Sequence, residues 1–146
     1  MAEHKYIPCD IYKRGIHVFI GGLDEFSAWF KGYFDEEEEE QYVDETMRWL
    51  RKGSTGYASF HYEAQLGHGV ILLPTFPTTP AEIAALEHEV MHAVFFLMDF
   101  SGVDYTPWSN NEAFTYLGEH LMRNALERLG YEEVKTEKKG ENHDTN

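Results

Sequence analysis

His88, Glu89 and His92 fall in the stretch LEHEVMHAVF, Leu86 to Phe95, inside a run that otherwise reads as buried helix. Side chains four residues apart on a helix stand one above the other, so both imidazoles can reach one ion while Glu89 points to the side. The spacing is H-E-x-x-H. Two neutral imidazoles suit zinc, a borderline-soft ion that takes nitrogen ligands tetrahedrally. A neighbouring carboxylate that does not ligate can take a proton from water activated at the metal. A third ligand is needed, and Glu112 stands twenty residues after His92 in WSNNEAFTYLGEHL, where the next helix opens.

HEVMH followed at that distance by Asn111-Glu112 resembles the gluzincin zinc metallopeptidases, the thermolysin-like group in which HExxH precedes an Asn-Glu on a second helix. The resemblance implies zinc held by His88, His92 and Glu112, with Glu89 as general base. The order hairpin, proline-capped helix, loop and EAFTYL also resembles small zincin-like proteins encoded by bacteriophages and prophages, from Tyr57 to Leu129. In the thermolysin-like pattern an aspartate four residues past the glutamate ligand steadies the first histidine; here that position is Tyr116. A backbone carbonyl or another acid must then accept the second N–H of the ligand histidine. Gluzincins use a Tyr or His to donate to the developing oxyanion. Tyr116 is the expected donor, one turn past Glu112, with His120 a further turn on.

These residues also have purely structural readings. Ser109-Asn110-Asn111-Glu112 is a capping-box pattern, and Tyr116 can be a packing aromatic. His61 and His68 read as ordinary strand histidines outside the metal set, and Asp99 shares the histidine face but lies two turns away. The run AVFFLM right after His92 is apolar almost all round, which predicts a buried helix. Burying an acid and two imidazoles is costly without a partner, and a metal would satisfy all three.

The elements that must position these groups are legible in outline. GIHVFIGG alternates at Ile16, Val18 and Ile20 and predicts the first strand. In LDEFSAWFKGYF the aromatics Phe26, Trp29, Phe30, Tyr33 and Phe34 recur at helical spacing, an aromatic face for a sheet. The run Asp35 to Glu40 reads as a solvated acidic face, and Val43, Met47 and Leu50 suggest a second helix. YASFHYEA and HGVILLP predict a hairpin whose second strand, if it is a sheet edge, could accept a peptide as an added strand. Thr79, Pro80 and Glu82 form a capping box with a proline start, predicting a helix from Pro80 to about Ser101 closed by Gly102. On it Ile83, Leu86, Val90, Val94 and Leu97 form the core face. His88 and His92 lie nearly opposite, in a stripe with Ala81, Ala85 and Asp99 over which a second element can approach. A further long helix runs from the SNNE segment to Gly130.

These elements predict an α+β fold: a minimal zincin-like domain with a small antiparallel or mixed sheet packed on the metal-binding helix and a second long C-terminal helix. Residues 1–134 are expected to form one domain and 135–146 a disordered tail. The formal net charge of -14 opposes nucleic-acid and membrane-surface partners. Cys9, the only cysteine, excludes an internal disulfide or a cysteine-based zinc site. With no stretch near the ~20 apolar residues of a membrane span, the expected location is cytoplasmic, the host cytoplasm if phage-encoded. The expected function is a Zn2+-dependent peptidase acting on a peptide or protein substrate. The alternative is an inactive zincin-like fold with structural zinc, used as a binding or host-interaction module. The sequence leaves the oligomeric state open.

Overall fold

The computed structural model describes residues 2–9, 13–33, 59–63 and 68–132, with backbone only at 33, 59–63 and 68. Four strands and three helices follow in the order β1 (Glu3–Cys9), β2 (Arg14–Ile20), α1 (Leu23–Tyr33), β3 (Ser59–Glu63), β4 (His68–Leu73), α2 (Pro80–Phe100) and α3 (Asn111–Arg128). The acidic run 35–40, the helix suggested at 43–50 and the tail lie outside the described residues.

The class is α+β, with a mixed sheet in the order β1-β2-β4-β3. β1 pairs antiparallel with β2 from Glu3↔Ile20 to Cys9↔Arg14, and β2 runs parallel to β4 from Ile16↔Gly69 to Ile20↔Leu73. β3 and β4 form the expected antiparallel hairpin, with Ser59 opposite Leu72 and Glu63 opposite His68. The strand expected to come first is therefore second. β1, EHKYIPC, shows no clean apolar alternation, and its Pro8 is tolerated because β1 is an edge strand. HGVILLP is not the sheet edge that peptide addition to it would require: β4 is flanked by β2 and β3, and β3 takes the outer position.

Alternation along β2 and β4 builds two cores. Ile16, Val18, Ile20, Ile71 and Leu73 pack with Leu86, Val90, Val94 and Leu97 of α2 and Leu117 and Leu121 of α3. The intervening residues Phe19, Val70 and Leu72 face the other way and pack with Phe26 and Phe30 of α1. The two interior strands are thus buried on both faces, as a parallel pair flanked by helices must be. The aromatic face expected on α1 is there at Phe26, Trp29 and Phe30, while Phe34 and the Tyr33 side chain lie outside the described residues: Phe19 meets Phe26 edge-on at 5.3 Å between centroids, and Trp29 lies against Phe19 at 5.4 Å.

The helix that carries HExxH begins as expected. Thr79 caps it: its Oγ1 accepts from the Glu82 N–H at 3.3 Å, while Glu82 Oε2 accepts from the Thr79 N–H at 2.9 Å. These bonds hold the Glu82 carboxyl below the usual carboxylate range, those from the Thr78 and Thr79 amides above all. Gly102 and Gly130, with φ of 73° and 93°, close α2 and α3 in the left-handed conformation that glycine adopts without steric cost. Tyr131 stacks on Phe76 and donates its hydroxyl to the Pro77 carbonyl, tying the end of α3 to the approach of α2.

Candidate metal site

One side of α2 is committed to the core through Leu86, Val90, Ala93, Val94, Leu97 and Met98, which anchors the helix in rotation. His88 and His92 are thereby set on the opposite, exposed side. Their Nε2 atoms stand 3.1 Å apart. Two nitrogens on one tetrahedral zinc, each ~2.0–2.1 Å from the ion, are separated by roughly 3.3 Å. The pair therefore has the spacing and atom type of a two-imidazole chelate. In the metal-free state one neutral ring can donate its Nε2–H to the other, and a cation would take both lone pairs instead.

Glu89 behaves differently from its neighbours. It is 7% exposed, turned into the protein while the histidines face out. Its carboxylate makes no hydrogen bond or ion pair among the described residues. Burial pushes its carboxyl above the usual range, and the His88 and His92 imidazoles pull it part of the way back. A poorly solvated carboxylate beside two potential ligands has a raised proton affinity, as a general base needs.

The expectation of a helix buried all round is corrected: Phe95, Phe96 and Phe100 are 47%, 44% and 40% exposed, and His88 and His92 are exposed as well. The burial argument for a metal therefore applies to Glu89 alone. Nor does a described element cover the stripe of Ala81, His88, His92 and Asp99, all of them exposed, although Ala85 is half-buried against the core. The physical reason is the way α2 is held: its Val94 and Met91 flank packs on α3, and its core flank packs on the sheet, so the remaining arc faces outward.

Glu112 lies in the first turn of α3, on an exposed stripe with Tyr116, Glu119 and Arg123. Gly118, about 120° round that helix, is the position turned to α2, with Met91 and Val94 opposite it. Among the described residues no three His, Cys, Asp or Glu side chains converge as a ligand set, so Glu112 does not join the histidine pair here. The capping box suggested for Glu112 is not formed either. Asn110 is the N-cap residue without a side-chain cap bond, because its Oδ1 accepts from the Thr106 N–H at 2.7 Å and its amide donates to the Asp104 carbonyl. Ser109 is taken up by Thr106 in the same loop. The Glu112 carboxylate makes no hydrogen bond or ion pair among the described residues.

Tyr116 is 65% exposed, which excludes the buried packing role. His120 sits 3.4 Å from the Pro8 carbonyl, linking α3 to β1. An aromatic cluster beside the site went unnoticed in sequence: Phe95, Tyr105 and Phe114 meet at 5.1 to 6.1 Å between centroids. Its only local signal is Phe95 one turn past His92. A second histidine pair was missed as well. His4 Nε2 lies 2.8 Å from Nδ1 of the fully buried His17, with Trp29 tilted against both rings. The β1–β2 pairing that brings the two together has no short-range signature. Among the described residues, no helix is long and apolar enough to cross a membrane. Compared with known proteins, the chain matches no family model, no curated protein and no solved structure.

Proposed function

We propose that this chain is a zinc-dependent peptidase of gluzincin type, with His88, His92 and Glu112 as the metal ligands and Glu89 as the general base. The observation that supports it most is the 3.1 Å separation of the two Nε2 atoms with a buried carboxylate one residue along. Zinc bound there supplies Lewis-acid activation of a water and of the scissile carbonyl. Glu89 takes the proton of the attacking water on its carboxylate and returns it to the leaving amine. Its burial supports that shuttle, since a carboxyl with raised proton affinity can both accept and hold the proton. His88 and His92 would bind the ion through their Nε2 lone pairs. Glu112 completes the set only if the first turn of α3 swings towards α2, and Tyr116, on the same turn and stripe, would then come within reach of a substrate carbonyl oxygen. A peptide adding as a strand would pair with the outer edge of β3, since both edges of β4 are taken.

The second reading is a zincin-like binding module without turnover. The outward stripe of Glu112 and Tyr116 favours it. One experiment separates the two. The zinc-to-protein ratio is measured for the purified chain and for His92→Ala and Glu112→Gln, beside cleavage of a peptide library. A ratio near one that falls in both variants, with cleavage by the parent chain, supports the peptidase. Zinc retained in Glu112→Gln without any cleavage supports the module, and no zinc in the parent chain removes both.

A further inference from the structure

We propose that the groove between α2 and α3 is a docking site for a basic amphipathic helix of a partner protein. The inference goes beyond the zinc reading, because Glu87 and Met91 lie about 100° round α2 from His88 and His92. The groove holds about 600 Å³, within the range of pockets that enclose a ligand. Val90 and Met91 from α2 and Met122 and Leu126 from α3 form its apolar lining. Gly118 sits where the two helices meet, and a Cβ there would make an ordinary van der Waals contact of 3.4 Å with the Met91 sulfur. Two methionines give the floor an unbranched, polarisable surface that can remould around different apolar side chains.

The rim decides what kind of apolar segment fits. Glu87 stands on the α2 wall, Glu119 and Glu127 on the α3 wall, and Glu132 at the end where the chain leaves α3. Among the described residues the one cation at the rim is Arg123, which is paired to Glu119. Glu87, Glu127 and Glu132 form no ion pair among the described residues. Carboxylates on both walls above an apolar floor match a helix whose apolar stripe is flanked on both sides by Lys or Arg. Their long stems cover the methionine floor while their charges reach the rim.

The test uses the full chain and a fluorescent 18-residue peptide of leucine and lysine with an amphipathic helical pattern, followed by anisotropy, with a scrambled peptide of the same composition as control. The amphipathic peptide should bind about tenfold more tightly than the scrambled one. The Glu87→Lys/Glu127→Lys protein should lose about tenfold in affinity, whereas Glu3→Lys/Asp24→Lys, with the same charge change on remote exposed positions, should lose far less. Glu132→Lys alone, on a residue beyond the helix, repeats the test if the double variant misfolds. Equal binding of the scrambled peptide, or equal losses in the groove and remote variants, would overturn the proposal by reducing it to general attraction to an acidic chain. A concentration-dependent dimer abolished by Glu87→Lys/Glu127→Lys would overturn it in favour of a second copy of this chain.

Discussion

The imidazole nitrogens of His88 and His92 meet at 3.1 Å on the outside of α2, while the carboxyl of Glu89 between them in sequence turns inward. One helical turn thus offers a chelating pair to solvent and withdraws the acid from it. Core anchoring of α2 at Leu86, Val90 and Leu97 sets this division, because it leaves no freedom to rotate the histidines inward.

The first consequence concerns the metal. Dialysis against a chelator and return of zinc should restore about one ion per chain in the parent protein. His88→Ala and His92→Ala should each weaken zinc binding by more than the roughly 10–100-fold typical of outer-shell changes. Competition with a coloured chelator measures this. Zinc affinity unaltered by either substitution would show that the pair is only a hydrogen-bonded surface feature.

Glu89→Gln tests the acid separately from the ligands. Cleavage should fall to background with zinc content unchanged, since the carboxylate is needed for proton transfer and not for coordination. The chelated variant should also unfold at a higher temperature than the chelated parent at pH 7. A carboxyl whose folded pKa is raised contributes stability at low pH and loses it as pH rises through that pKa, so its ionised form is a cost at neutrality. A lower melting temperature for the variant would argue against the desolvated state of Glu89.

The capping box at the start of α2 makes a stability prediction free of any metal. Thr79→Ala removes the hydroxyl that accepts from the Glu82 N–H and should cost about 1 kcal/mol in urea unfolding. The Glu82 carboxyl, held below the usual range by the Thr78 and Thr79 amides, stabilises the fold above the ordinary carboxylate pKa. That contribution should fade as pH falls through its lowered value, and Glu82→Gln should flatten this limb.

A second pH effect should arise at the other face of the sheet. Burial, with help from the Lys5 charge, holds the His4 imidazole below its ordinary value of 6.5. A histidine with a lowered folded pKa contributes stability that is complete above 6.5 and lost as pH falls through the lowered value. Urea midpoints between pH 7 and pH 5 should therefore decline, and less steeply in His4→Phe. An equal decline in the variant would assign the effect to other groups.

Much of the framework was legible because it is written in short-range signals. The Thr79-Pro80-Glu82 start, the glycine stops at 102 and 130, the β3–β4 hairpin and the aromatic face of α1 each depend on residues within a few turns of one another. HExxH is local in the same way: a spacing of four residues on a helix determines that two imidazoles meet, whatever surrounds them. The placement of β4 inside the sheet, parallel to β2, needed the tertiary structure, because strand order is set by which apolar faces find cover and not by the strand's own pattern. β1 escaped notice for a related reason: an edge strand carries charge and proline that a buried one could not. The same long-range packing decided that Phe95 and Phe96 face outward and that Glu112 shares an exposed stripe with Tyr116. Sequence spacing determined how far Glu112 lies from His92 along the chain; the packing of Leu117 and Leu121 into the core set which way α3 faces and so decided where the Glu112 carboxylate points.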